Sequence, residues 1–293
     1  MNENLVIDFA ERVKKFYYYR ALLCEKLINK EVDIKGNTWE MSPPEFDPFE
    51  NLYVDAYLIG CTAFDGLSSV WQALSTSTTV KIGNKERNNE RFVSFLLHVK
   101  VNEYLDRVSI PFLNYYLKKQ KIEEPFRQEI QDKWLNNKDD IFGNTEPHRV
   151  YCDPTIDQLN VLYEKCHKRN AIPPQPMINN IDTELRKFTY AALIYKFYRC
   201  SFVHEFRASK YAAFFNRGTE ISVRRGESSD IVSSGKMISG DEVKPQLDVG
   251  ISVLTESIKK GADLVYDLII EKKLTDIPYD SSDEIWIKTK PKS

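Results

Sequence analysis

The sequence predicts a mainly helical protein with a small β-hairpin accessory near its C-terminal end. Three observations carry that reading. Apolar residues recur at helical spacing along most of the chain, helix start and stop signals bracket those stretches, and one pair of short alternating segments around a glycine interrupts them late. At 293 residues, 42% apolar and 29% charged, the chain has the composition of a folded protein with a sizeable core rather than a disordered one. It reads as a single helical domain over 1–293, with a loop-rich insertion at 138–180, a β-hairpin at 219–239 and a final helix at 243–271.

Leu5, Phe9, Phe16, Leu23 and Leu27 lie at helix spacings and give a first amphipathic helix to about Asn29. A loop rich in Gly, Asn and Pro is expected over 35–47. Asp47-Pro48-Phe49-Glu50 then supplies an N-cap carboxylate, Pro at the first helical position and Glu in capping-box style. The helix it opens, to about Ser75, is apolar on most faces and belongs at the centre of a bundle. Further helices are predicted over 91–105, 111–121 and 125–136, and over 154–168 with Asp153 as its cap. Ile172-Pro173-Pro174-Gln175-Pro176 is a stiff connector. A long helix follows over 183–215 and stops at Asn216-Arg217-Gly218. The segments 220–225 and 231–238 flank Gly226–Asp230 as the hairpin.

Several classes of protein are set aside by composition. Cys24, Cys61, Cys152, Cys166 and Cys200 are odd in number and widely spaced, which argues for a reducing compartment rather than a disulfide framework. His148, Cys152, Cys166 and His167 match no familiar zinc spacing and read better as loop residues, so neither a metal nor another cofactor is expected. His98 reads as core. The start, MNENLVIDFAERVKK, has neither a basic opening nor an apolar run, and no stretch reaches the length of a membrane span. A cytoplasmic protein with no membrane partner is the expectation.

The formal charge is −2, but it is unevenly placed. Over 186–225 there are nine basic residues, Arg186, Lys187, Lys196, Arg199, Arg207, Lys210, Arg217, Arg224 and Arg225, against Glu205 and Glu220, a net +7 that leaves −9 for the rest. Ten aromatic residues share the segment. Basic side chains attract phosphates and exposed aromatics stack on unpaired bases, although aromatics at helical spacing are mostly packing residues. Lys196, Arg207, Lys210, Arg224 and Arg225 are the candidate phosphate-contacting residues.

Inside the same segment lies Tyr198-Arg199-Cys200-Ser201-Phe202-Val203-His204-Glu205-Phe206-Arg207. On an ideal α-helix Arg199 and His204 are about 140° apart, so they meet only if Arg199 uses the length of its side chain or a second surface completes the site. Cys200 and His204 adjoin at one turn. A thiol nucleophile with a histidine base is one alternative, and it lacks an oxyanion motif or orienting acid. Asp65, in the apolar second helix, is costly at a bundle centre unless paired with Arg199 or another cation; a solvated edge or a cap at a Gly66 kink is the bland alternative.

The Arg-x-x-x-x-His spacing in LIYKFYRCSFVHEFR, with YVDAYLIGCTAFDGLSSVW upstream and the segment RFVSFL, resembles the HEPN superfamily. The resemblance implies a helical bundle that dimerises around two Arg/His pairs, and a metal-independent endoribonuclease of phage defence or a toxin–antitoxin system, restrained by an antitoxin or other partner protein. In that light His204 is the general acid/base and Arg199 the clamp on the phosphate, with Cys200, Ser201, Glu205 and Asp65 in support. Cys200 stands where the family commonly has a polar residue. A catalytically inactive HEPN-like module that binds RNA or protein, or a purely structural helical subunit, are the alternatives.

Overall fold

The computed structural model describes residues 3–29, 31–34, 37–40, 49–75, 85–121, 124–135, 148, 150–169, 180–205, 209–212, 218–226 and 244–276. It is mainly helical, with small antiparallel two-stranded sheets, and divides into two compact units: residues 1–99 with 254–293, and residues 100–253.

The first unit is built from α1 (Glu3–Asn29), β1 (Glu31–Ile34), β2 (Asn37–Glu40), α2 (Phe49–Ser75), α3 (Lys85–Val99) and the part of α10 (Ile251–Lys272) from Leu254 onward. β1 and β2 pair in antiparallel register, Glu31 opposite Glu40 and Ile34 opposite Asn37, so part of the expected 35–47 loop is a strand. On α1 the packed stripe is Val6, Ala10, Tyr17, Ala21, Cys24 and Ile28, whereas Leu5, Phe16 and Leu23 of the expected stripe face outward. The helix carries two apolar stripes one residue out of phase, and periodicity alone does not choose between them. Burial pushes the Cys24 thiol up to about 12.

α2 is the apolar centre the sequence promised, with Tyr57, Phe64 and Leu67 wholly buried and Phe64 packed on Phe92 and Phe95 of α3. α10 comes close to both neighbours at Gly261, where a Cβ would lie 2.7 Å from Phe95 Cζ and 2.9 Å from a methyl of Leu67. Polar ties fix α1 to α10: the Tyr18 hydroxyl donates to Asp263 at 2.9 Å, Lys14 pairs with Asp263 at 2.8 Å, and Lys259 pairs with Glu25 at 2.7 Å. α3 ends at Val99 rather than near 105, because Lys100 takes φ 46° and stops the helix without the glycine that would have announced it. His98 is exposed rather than buried, with its ring 5.2 Å from Trp71.

The second unit holds α4 (Ile110–Gln120), α5 (Glu124–Ile130) running into a π turn (Gln131–Leu135), α6 (Ile156–Arg169), α7 (Ile181–Arg186), α8 (Tyr190–Ile194), a second π turn (Tyr195–Arg199), α9 (Cys200–Glu205), β3 (Ile221–Gly226) and β4 (Lys244–Val249). The long helix expected over 183–215 is therefore interrupted. Thr189 adopts an extended conformation and its hydroxyl caps Ala192 N–H, starting a new helix. β3 pairs antiparallel with β4, from Ile221 opposite Val249 to Gly226 opposite Lys244. The hairpin partner is thus 244–249, the stretch assigned to the opening of the final helix; the expected second strand, 231–238, lies outside the described residues. Leu247 and Val249 are buried in the strand, and α10 begins only after Gly250, whose Cα approaches the Gly218 carbonyl too closely for any side chain.

A buried polar network organises this unit. Asp153 does not cap α6; Thr155 does, in a reciprocal capping box with Gln158. Asp153 instead lies buried, accepting from the Tyr190 hydroxyl at 2.5 Å, from the backbone N–H of Ile110 and, at 2.6 Å, contacting His148 Nε2. Its carbonyl accepts from Arg107 at 2.5 Å. Burial raises the Asp153 carboxyl, against the pull of His148, Tyr190 and Ile110, and burial beside that carboxylate pushes the Tyr190 phenol well above its usual 10.

The sign for Tyr190 follows directly. In the unfolded chain the phenol ionises near 10 and in the folded chain it stays protonated, so its contribution is complete below pH 10 and is lost as pH rises. Urea unfolding between pH 10 and 11.5 should show a stability slope steeper by about 1.4 kcal/mol per pH unit in the native chain than in Tyr190→Phe. Parallel slopes would contradict the assignment.

Candidate active site

Arg199 and His204 are brought together by the second unit. The helix from Tyr190 to Glu205 widens at Tyr195–Arg199, where the N–H of Cys200 bonds back to the carbonyl of Tyr195, five residues earlier. Arg199 closes this π turn, with its guanidinium 5.6 Å from the Tyr195 ring. Its Nη1 lies 2.9 Å from His204 Nε2. The long side chain thus spans the rotation that an ideal helix puts between the two positions, within one chain.

The residue before Arg199 fixes the frame. Tyr198 is fully buried, its hydroxyl donating to the Leu247 carbonyl at 2.8 Å and accepting from Val249 N–H at 3.1 Å. The π turn is therefore tied to β4 at the residue adjoining the arginine. No sequence pattern flags 244–249 as the strand that does this; the alternation of Leu247 and Val249 is the only signal, and it is two residues long.

The bond also sets the state of the imidazole. A guanidinium has donors and no acceptor, so Nε2 must offer its lone pair and the neutral ring must carry its proton on Nδ1. His204 is exposed and Arg199 half-buried, so the pair meets solvent. The Nε2 lone pair is held by Arg199 in this geometry, and the imidazole can accept a proton there only once that bond opens.

The other sequence candidates separate. Cys200 is half-buried, Ser201 buried and Glu205 exposed. Asp65 belongs to the other unit and its cation is Arg91, at 2.9 Å, with Arg91 Nε also donating to Ser68. That pair pins α3 to α2. The basic segment is partly neutralised at home: Arg186 pairs with Asp182 at 2.7 Å, Lys187 with Glu184, and Arg224 with Asp248 at 2.8 Å. Asp182 and Glu184 stand just upstream of the segment whose charge was summed. Lys196 and Lys210 are exposed; Arg207 and the side chain of Arg225 lie outside the described residues. Of the described aromatics, Phe188, Tyr190, Phe197, Tyr198 and Phe202 are buried, with Tyr195 and Tyr211 partly open.

His148 is engaged by Asp153, Cys152 is exposed, Cys166 is buried, and the His167 ring packs 4.1 Å from that of Tyr163. Among the described residues no group of three or more His, Cys, Asp or Glu is placed to hold a metal, and no helix is long and apolar enough to cross a membrane.

No protein-family model matches the chain, and neither a curated protein nor a solved structure matches it. Fold and site define a mainly helical protein with a solvent-facing arginine–histidine pair on a π-distorted helix.

The imidazole state is open to measurement. Long-range 15N–1H spectra should show His204 protonated on Nδ1 in the native chain, and Arg199→Ala should shift the ring toward the Nε2–H tautomer. A native ring protonated on Nε2 would remove the hydrogen bond from the account.

Proposed function

We propose that this chain is an endoribonuclease of HEPN type, acting on RNA through Arg199 and His204 without a metal, in phage defence or as a toxin held by a partner. The observation that supports the reading is the 2.9 Å contact between an exposed imidazole and a guanidinium, in a unit with exposed lysines at positions 196 and 210.

The chemistry uses what RNA brings. His204 Nε2 takes the proton of the 2′-hydroxyl, O2′ attacks the adjacent phosphorus, and the P–O5′ bond breaks as the imidazolium returns its proton to O5′. The products are a 2′,3′-cyclic phosphate and a 5′-hydroxyl. The Arg199 fork is suited to the charge that builds on the non-bridging oxygens, and it is already beside the imidazole when the phosphate arrives. Two copies docking around one cleft would place a second pair across the polynucleotide, as the resemblance implies.

A non-cleaving RNA- or protein-binding module is the second reading. It is favoured by the same contact, because Nε2 must leave Arg199 before it can accept a substrate proton.

Purified protein incubated with RNA in EDTA should yield cyclic-phosphate ends, and His204→Ala and Arg199→Ala should each lower the rate about 100-fold or more. Arg199→Lys should not restore it, since a point charge lacks the planar fork. Equal rates in native chain and variants would refute the catalytic roles.

A further inference from the structure

The second unit carries a feature that the Arg199–His204 chemistry does not use. Phe112, Tyr115 and Tyr116 of α4, with Phe188, Phe197 and Tyr211, line an open groove of about 180 Å³. The rings are ordered against each other. Phe112 and Tyr211 flank Phe197, each with its centroid 5.2 Å away and its plane tilted about a third of a right angle, and Tyr116 lies 5.1 Å from Phe188. Tyr116 and Tyr211 are only half-buried, so the groove presents ring surface to solvent.

Three ammonium groups ride on these rings: Lys119 5.9 Å from Tyr115, Lys196 5.6 Å from Phe197 and Lys210 5.4 Å from Tyr211. Among the described residues neither Asp nor Glu lines the groove. Among the described residues no carboxylate forms an ion pair with any of the three lysines, in contrast to Arg186, Lys187 and Arg224. These three lysines therefore bring positive charge to an aromatic floor. Aromatic stacking with flanking cations is how proteins seat unpaired bases, and the volume is below the ~300 Å³ at which pockets for drug-sized molecules begin.

We propose that this groove seats one unpaired nucleobase of a single-stranded RNA, stacked on the tyrosines, with Lys119, Lys196 and Lys210 meeting the flanking phosphates. Gln120, also in the lining, offers an amide that can both donate to and accept from the base edge. Lys196 and Phe197 belong to the π turn that ends on Arg199, so groove and arginine are parts of one helical turn. The inference rests on the RNA reading above, and it revises its contact set. Lys119 joins Lys196 and Lys210, while Arg224 is occupied by Asp248.

The test compares two probes by fluorescence anisotropy at one salt concentration: a fully 2′-O-methylated single-stranded RNA, which lacks the nucleophile and stays intact, and an abasic chain of the same length. The full chain should bind the base-bearing probe at least about tenfold more tightly. Tyr116→Ala and Tyr211→Ala should each remove most of that advantage and leave abasic binding unchanged, whereas Tyr116→Phe should retain it. Lys119→Ala with Lys196→Ala should weaken both probes and flatten the salt dependence. Thermal melts identify any variant that fails to fold, and Tyr116, half-exposed, carries the test if Tyr211→Ala does. Equal affinity for the two probes, or no binding of either, overturns the groove. Cleavage of unmodified RNA is followed in parallel. Cleavage with equal affinities overturns the groove alone, and base-dependent binding without cleavage supports the groove while overturning the catalytic reading.

Discussion

The second unit depends on one buried carboxylate. Asp153 receives the N–H of Ile110, the first residue of α4, and the hydroxyl of Tyr190, the first residue of α8, while His148 closes its remaining side. Ser109, at the N-cap of α4, makes no side-chain cap, so the carboxylate supplies from 43 residues away what a local cap would ordinarily give. The backbone repeats the tie: Val108 N–H bonds the Pro154 carbonyl and Tyr190 N–H the Arg107 carbonyl, at 2.9 and 3.1 Å. α4 forms one side of the aromatic groove and α8 adds Leu193 to it before running on into the π turn that ends at Arg199. A carboxylate buried to this degree is tolerable only because each of its oxygens is engaged, and losing a partner would leave a buried charge costing about 3–5 kcal/mol.

Much of the helical frame is legible in the sequence because its signals are local. The apolar run of α2 and the helix read from Pro111 each depend on a few neighbouring residues, while the Asp47-Pro48 cap lies outside the described residues. What escapes is set by distant partners. Asp153 looks like the cap of α6 because it sits two residues ahead of Thr155, and only the tertiary structure shows that Thr155 caps and Asp153 is withdrawn into the interior. Lys244–Val249 reads as helix because its continuation is helix, yet the Tyr198 hydroxyl and β3 hold it as a strand. Lys100 and Lys121 end their helices with positive φ, where the expected marker is glycine.

The site shows the same division. Arg199 and His204 are a recognisable pair in sequence, but an ideal helix separates them, and the length of the arginine side chain is what brings Nη1 to 2.9 Å from the imidazole. Summed charge places the basic residues on one late helix and the hairpin after it, whereas Asp182, Glu184 and Asp248 neutralise part of that charge and Lys196 and Lys210 lie over aromatic rings. For Asp65 a cation and a solvated edge are both open in the sequence, and Arg91, 26 residues on in the neighbouring helix, pairs with it. Charge position, not charge count, separates scaffold from surface.

Amide hydrogen exchange on Asp153→Asn tests most directly whether one side chain sets both helix starts. An amide puts a donating NH2 where the carboxylate has an accepting oxygen, so the contact on that side must reverse its direction or break. Protection should fall together at the first turns of α4 and α8 and through the Tyr195–Arg199 turn, while α2 and α3 keep theirs. Loss confined to 148–155, with α4 and α8 as protected as in the native chain, would contradict it.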